Sequence, residues 1–440
     1  MAFSKLSLDL TASLSKEEKQ KDGIFFTPPM LACHAVNIAK RYLKKINRNH
    51  NYQVLEPSCG SGEFIKAIQK TLPNSSITGI EFNETVYNQV KSFESEKTRT
   101  VIQRGDFLHW NAPHNYDLIA GNPPYYVLPK SEVESIYYSY FTGRPNIFIL
   151  FLVKCLSLLK TDGVLSFVLP RNFLNSAYYQ AARQFVLDRF TIIAITDGKI
   201  GCEGESEDQS EAGVNKSFID TEQETILFIC KNCLDCNNHN DRFTLRRGDS
   251  VIFGTVKAVE RMKELCIGCS TLAELGFTAS VGQVVWNQHK LQLTDDPKNT
   301  RLIYSTDIVK GQVVLKKYKS ESKKNYINLD SIDRINPLRG PVIVVNRGYG
   351  VGKYNFNVCL VNLDHPYQIE NHLILIRSNS STMGDGSSSN TDLVSMYKNL
   401  CDSISSSLTR EFMELCLGNN AVTTTELNYV LPIPPLKTET

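Results

Sequence analysis

An asparagine, two prolines and a tyrosine, Asn122-Pro123-Pro124-Tyr125, close the apolar run Tyr116–Ala120. Consecutive prolines fix the backbone and carry no amide donors, so nearby carbonyls face no local competitor. The Asn122 side-chain oxygen and an adjacent backbone carbonyl then make a pair of acceptors for both hydrogens of a planar amine. Such an amine is a poor nucleophile because its lone pair is delocalised. Two preorganised acceptors favour the tetrahedral, positively charged nitrogen that forms as it attacks an electrophilic carbon. Tyr125 adds an aromatic face for a flat substrate. The alternative is a rigid turn at a strand end with a surface tyrosine.

Three further groups stand at the ends of apolar runs. Glu56-Pro57-Ser58-Cys59-Gly60-Ser61-Gly62-Glu63-Phe64 follows the first run, and glycines at such a strand-to-helix turn admit a ligand where a Cβ would collide. A third glycine three residues on would suit a dinucleotide, but that position is Ile65. Glu81 ends the second run, where a carboxylate can accept both hydroxyls of a ribose. Gly105-Asp106-Phe107 follows the third, with an acceptor for an exocyclic amine and a ring to pack on a purine. Singly, each reads equally well as a polar strand end or turn. Together they point to a nucleoside-bearing ligand.

These groups need a scaffold that brings successive strand ends to one edge. Short apolar runs at Gln53–Leu55, Ile77–Ile80, Val101–Gln103, Tyr116–Ala120, Val164–Leu169, Thr191–Thr196 and Thr225–Cys230 predict seven strands. Helical spacing predicts helices at Glu63–Thr71, Ile147–Leu159 and Tyr178–Leu187, and one opened by Thr27 and Pro28 and carried through Ala32, Val36, Ala39 and Leu43. The alternation implies a doubly wound α/β sheet. The acidic stretch 203–213 reads as a solvated loop, as does the Ser/Gly-rich stretch 378–390. Beyond about residue 234 the rhythm gives way to strand-like segments at 281–287, 301–309, 311–318, 340–352 and 371–378, then helices near Thr391–Ser407 and Thr409–Leu417. Two domains are expected, 1–234 and 235–440, the second mixed and β-rich.

The chain has 440 residues, 42% hydrophobic and 21% charged, with a formal net charge of +2. This excludes a disordered chain, a collagen-like repeat and a heptad rod. The longest apolar run, Ile147 to Leu159, contains Lys154 and is too short to span a bilayer. No secretory signal precedes it, so an intracellular protein without a membrane partner is expected. Cys230, Cys233, Cys236, Cys266 and Cys269 have the spacing of zinc ligands. Because Cys230 ends a buried strand-like run, reduced, unliganded thiols are the favoured reading, and no metal is assigned.

From Phe25 to Cys230 the chain resembles the catalytic domain of S-adenosylmethionine-dependent DNA amino-methyltransferases. It is most similar to the gamma-class, TaqI-like adenine-N6 enzymes of restriction–modification systems. The motifs that carry the resemblance are FFTPP, LEPSCGSGEF, IEFN, GDFL, NPPY and SFVLPRNFL, in that order. The resemblance implies a Rossmann-like methyltransferase sheet with S-adenosylmethionine as cofactor. Phe26 and Thr27 would flank its methionine end, and Glu56, Cys59 and Gly60 would line its pocket. Glu81, with Phe82 beside it, would hold the ribose, and Asp106 with Phe107 the adenine. Asn122 and Pro123 would polarise the target amine, Tyr125 would stack on a flipped base, and Phe218 would cover the base's other face. Base flipping follows from the chemistry, because an amine inside a duplex cannot reach such a pocket.

Residues 310–353 hold ten Lys and Arg against three acids, a density suited to phosphate contact. The DNA-facing candidates are Lys316, Lys317, Lys319, Arg347, Tyr349 and Lys353. The resemblance implies a target-recognition domain in this half and double-stranded DNA as partner. It also implies a separate cognate restriction endonuclease, a monomeric enzyme, and a bacterial, phage or viral origin. Other enzymes with this acceptor pair act on cytosine N4, on rRNA or on protein glutamine. The position of FFTPP near the start of the chain and the long segment after the core favour DNA.

Overall fold

The computed structural model describes residues 3–43, 50–111, 113, 115–198, 224–233, 239–318, 323–330, 332–347, 356–379, 390–417 and 421–436. The chain divides into two compact units. One comprises Met1–Leu245 with Val251–Val259, the other Arg246–Ser250 with Glu260–Thr440.

The first unit is built on a seven-stranded sheet. Its strands are β1 (Tyr52–Glu56), β2 (Ser75–Glu81), β3 (Thr100–Arg104), β4 (Tyr116–Gly121), β5 (Leu159–Pro170), β6 (Thr191–Asp197) and β7 (Thr225–Lys231). They lie in the order β3-β2-β1-β4-β5-β7-β6. Strands β1 to β5 run parallel, and β7 is antiparallel to both β5 and β6. All seven expected strands are present. β7 lies between two neighbours and buries six of its seven residues, hence its unbroken apolar run rather than an alternation.

Helices cover both faces. α1 (Lys5–Ser13) and α2 (Lys16–Asp22) precede α3 (Pro29–Tyr42) and α4 (Glu63–Thr71), and α3 and α4 pack Leu31, Val36, Phe64 and Ile68 on one face. α5 is Glu84–Val90; α6 (Ile147–Leu158) and α7 (Gln180–Arg189) follow, and these last two pack with Phe173 and Phe228 on the other face. The start of α3 differs from expectation. Pro28 occupies the capping position with no side-chain hydrogen bond, and Pro29 is the first helical residue, where a missing amide costs nothing. In α6 ten of twelve residues are buried, the exceptions being Lys154 and Ser157.

The strand order reverses at β1 and β4: β2 and β3 continue to one side of β1, and β4 and β5 lie to the other. Such a switch point opens a crevice at the carboxyl ends of the strands, where α/β sheets take ligands.

The second unit contains two four-stranded sheets and three C-terminal helices, Asn390–Ile404, Ser407–Leu417 and Thr424–Tyr429. One sheet orders Phe277–Val281, Leu373–Ser378, Val342–Asn346 and Val358–Val361, all antiparallel. Its core holds Val344, Cys359, Leu373 and Leu375. The expected strand at 281–287 is not formed. The strand ends at Val281, because Gly282 lies so close to the backbone of Ile369 and Glu370 that a Cβ would sit 2.3 Å from the Glu370 carbonyl oxygen. Of 311–318 only Gln312–Val313 is strand. The acidic loop at 203–213 and most of 378–390 lie outside the described residues.

Candidate active site

The crevice is a cavity of about 390 Å³ in the first unit. Its floor is the turn from β1 into α4. Gly60 (φ 51°) and Gly62 (φ 74°) are left-handed there, and a Cβ on Gly62 would lie 2.5 Å from the Phe93 ring. The Cys59 amide donates to the Ile80 carbonyl at 2.9 Å, tying the turn to β2. Glu81 ends β2 with its carboxylate accepting from the Gly60 amide and the Asn83 amide, each at 2.8 Å. Burial pushes the Glu81 carboxyl up to about 7, against the lowering effect of those amides.

Glu56 lies beside it, 1% exposed. Burial, then the nearby Glu81 and Glu63, push its carboxyl well above the usual range. Its Oε2 is buried without a hydrogen-bond partner among the described residues. Phe26, Thr27, Cys59 and Phe107 also line the cavity and are buried, whereas Phe82 lines it with its side chain 62% exposed. Asp106 turns its carboxylate onto its own loop, accepting from the Leu108 amide at 2.9 Å and meeting His109 Nδ1 at 2.7 Å.

Asn122 reaches the cavity from the end of β4. Its Nδ2 donates to the Phe25 carbonyl at 2.9 Å, which orients the amide. Its own carbonyl accepts from the Ser58 hydroxyl at 3.0 Å. Its Oδ1 meets the Tyr125 hydroxyl and, as a carbonyl oxygen, keeps a second lone pair. Pro123 is buried next to it.

Tyr125 differs from its expected exposure. It is buried, its hydroxyl donates to the Val168 carbonyl at 2.7 Å, and its ring lies 6.3 Å from that of Phe25 at 24°. Tyr126, not Tyr125, is among the residues that line the cavity. Phe218 lies outside the described residues, as do Lys319, Tyr349 and Lys353.

Sequence reasoning missed several contributors. Gly23 (φ 63°) passes so close over the acceptor segment that a Cβ would sit 2.8 Å from the Tyr125 amide nitrogen. Ser58, Glu63 and Asp22 line the cavity too. The doubled tyrosine after Pro124 was the available signal for Tyr126. Gly23 and Ser58 had none, because their roles depend on segments distant in sequence.

Residues 7–200 match the model of the family described as Eco57I restriction-modification methylase. Over those residues, fewer than half of the chain, it is similar to that family. Type II methyltransferase M.CvrRI of Paramecium bursaria Chlorella virus XZ-6E is 25% identical over 377 residues, 85% of this chain and 88% of that protein. Modification methylase CviBIII of Paramecium bursaria Chlorella virus NC1A is 31% identical over 186 residues, 42% of this chain and 47% of that protein. Type II methyltransferase M.VspI of Vibrio sp. (strain 343) is 29% identical over 195 residues, 42% of this chain and 46% of that protein.

The methylase is S-adenosylmethionine-dependent, and its cavity suits that cofactor. S-adenosylmethionine carries a sulfonium and an α-ammonium and no phosphate. Asp22, Glu56, Glu63, Glu81, Asp106 and Glu132 line the cavity, and no Lys or Arg is among the described lining residues. A pyrophosphate would be repelled here, whereas a cation would give the orphaned Glu56 oxygen a partner. Among the described residues no group of three or more His, Cys, Asp or Glu is placed to hold a metal ion; Cys236 lies outside them. No helix among them is long and apolar enough to cross a membrane.

Proposed function

We propose that the methylase modifies the N6 amine of an adenine extruded from double-stranded DNA, as the modification partner of a separate restriction endonuclease. The observation that carries this reading is Asn122, held at the cavity by the Phe25 carbonyl with Oδ1 left to accept. S-adenosylmethionine, when bound, supplies an electrophilic methyl group. Asn122 Oδ1 and the Pro123 carbonyl accept the two amine hydrogens, which favours positive charge on the attacking nitrogen. Tyr126, which lines the cavity, supplies a ring for a flat base. Stacking of this kind is worth about 1–3 kcal/mol per base, which offsets much of the cost of extrusion.

Cytosine N4 presents the same kind of amine, and adenine is favoured by motif order alone. The test offers S-adenosylmethionine with a labelled methyl group and unmethylated genomic DNA, rRNA and a protein extract in separate reactions. Nucleosides from the DNA product are then identified by mass. N6-methyladenine is expected; N4-methylcytosine would correct the base, and label only in RNA or protein would overturn the reading.

Glu81 is assigned to the cofactor's ribose, which requires the carboxylate. Its folded pKa of about 7 lies above the ordinary carboxyl range. Between that range and pH 7 the folded, ligand-free chain therefore holds a proton that the unfolded chain has lost. The stability this group contributes is lost as pH rises through 7. Cofactor affinity runs the other way, because only the ionised fraction binds. Affinity for S-adenosylhomocysteine should rise about tenfold from pH 6 to pH 8, and Glu81→Gln should flatten that rise while weakening binding. Equal affinity at both values in the wild-type chain would remove Glu81 from the ribose site.

The second unit is assigned to DNA. Lys317 and Arg347 are exposed and Lys316 is half-buried, its carbonyl accepting from Asn325 Nδ2 at 3.0 Å. Neutralising Lys316 and Lys317 should weaken DNA binding and reduce the slope of log affinity against log salt by about one per lost phosphate contact. An unchanged slope would move the DNA face elsewhere.

A further inference from the structure

Lys154 is the one charge in the most apolar helix of the methylase, and its ammonium is fully committed. Nζ donates to the carbonyls of Phe107 at 2.7 Å, Leu108 at 2.8 Å and Trp110 at 2.7 Å. It also lies 4.9 Å from the centroid of the Phe107 ring. An ammonium has three donors and no acceptor, so all three hydrogens go to one turn. That turn follows β3 and carries Asp106, Phe107, Leu108 and His109 into the cavity. Two other bonds hold it as well: the Gly105 amide donates to the Glu81 carbonyl at 3.0 Å and the Leu108 amide to Asp106 Oδ1 at 2.9 Å. Its local backbone-to-backbone hydrogen bonds, His109 to Asp106 and Trp110 to Phe107, are long at 3.2 Å each.

The helix supplies the rest of the clamp. Ile147 and Phe151 also line the cavity, and the Phe151 ring packs on Phe107 with centroids 4.9 Å apart. Positions 147, 151 and 154 recur at helical spacing, so one face of α6 forms part of the cavity wall and anchors the turn. Burial lowers the Lys154 pKa, a cost the fold bears at a position where a methionine of similar length would pack without it.

We propose that Lys154 is a positioning residue: its three bonds set the Asp106–Phe107 turn where Asp106 can accept from the exocyclic amine of the cofactor's adenine. The proposal rests on the assignment of Asp106 and Phe107 to that adenine. It makes Lys154 act on nucleobase discrimination rather than on stability alone. A side chain that only filled space would leave discrimination unchanged.

The test measures binding of S-adenosylhomocysteine and S-inosylhomocysteine, which differ at that amine, to the full chain by calorimetry. The wild-type chain should prefer the adenosyl ligand by about tenfold, one well-made hydrogen bond. Asp106→Ala should reduce the ratio to near one. Lys154→Met should do the same while keeping Asp106, and Lys154→Arg should fall between, because a planar fork cannot converge three donors on one turn. Should the Met variant not fold, the Arg variant carries the comparison. A wild-type ratio in a folded Lys154 variant overturns the proposal, whatever its melting temperature. A wild-type chain that binds both ligands equally removes Asp106 from the adenine site, and one that binds neither overturns the cofactor reading; the proposal falls with either.

Discussion

Asn122→Ala should lower methyl transfer by about a hundred- to a thousandfold, the usual loss when a preorganised electrostatic partner of the transition state is removed. S-adenosylhomocysteine should still bind within about twofold of wild type. The separation follows from the geometry. The Gly60 and Asn83 amides are paired with Glu81, and the carboxylates of the cavity do not depend on the Asn122 side chain. The backbone carbonyl of residue 122 also keeps its bond from Ser58. The substitution does remove the bond that the Phe25 carbonyl accepts from Nδ2. Asn122→Asp is therefore the informative companion: it keeps an acceptor and loses that donor. Near-normal turnover by the Ala variant would sink the acceptor mechanism. Equal loss of turnover and cofactor binding would mean that Asn122 holds the cavity together rather than polarising an amine.

The second large effect is expected in the other unit, where Asp307 and Arg301 are 0% and 3% exposed. Asp307 accepts from Arg301 Nη2 at 3.2 Å and from the Tyr304 amide at 3.1 Å, and its other oxygen meets the Tyr318 hydroxyl. Arg301 also reaches Asn325 Oδ1 at 2.6 Å, and Asn325 in turn holds the Lys316 carbonyl. Asp307→Ala leaves a buried guanidinium without its counter-ion, a change that costs about 3–5 kcal/mol. Hydrogen exchange of the full chain should show 300–318 losing protection while the methylase cavity keeps its affinity for S-adenosylhomocysteine. DNA binding should fall with the exchange protection, since the carbonyl of Lys316, one of the assigned lysines, is held by this network. Adding Arg301→Met should recover part of the loss, because the pair as a whole contributes less than breaking it costs. Wild-type protection in the single variant would show that the pair is not what holds this segment.

Much of the methylase was legible because its elements are short and the residues that line its cavity stand largely at their ends. Strands buried on both faces must be apolar throughout, so β4, β5 and β7 stand out as runs. The groups that follow each run, at 56–62, 81, 105–107 and 122–125, then fall on one edge of the sheet by topology alone. The helix opened by Pro28 and Pro29 was legible for a local reason as well, though the cap itself was misplaced by one residue. In the second unit the same reasoning failed at 281–287. There the end of the strand is set by Gly282 passing close to the backbone of Ile369 and Glu370, a contact between segments nearly ninety residues apart.

Which residue types stand at each strand end was already legible along the chain. That much depends on sequence neighbours. Only the tertiary structure decided which way the Asn122 amide points, which tyrosine faces the cavity, and that Lys154 spends its three donors on the turn after β3. Each of these is a hydrogen bond or a close approach between residues 43 to 103 positions apart: Phe25 with Asn122, Gly23 with Tyr125 and Tyr126, Val168 with Tyr125, Lys154 with Phe107. Nothing local encodes such pairs, because the partner carbonyl is present at every residue and only folding selects one.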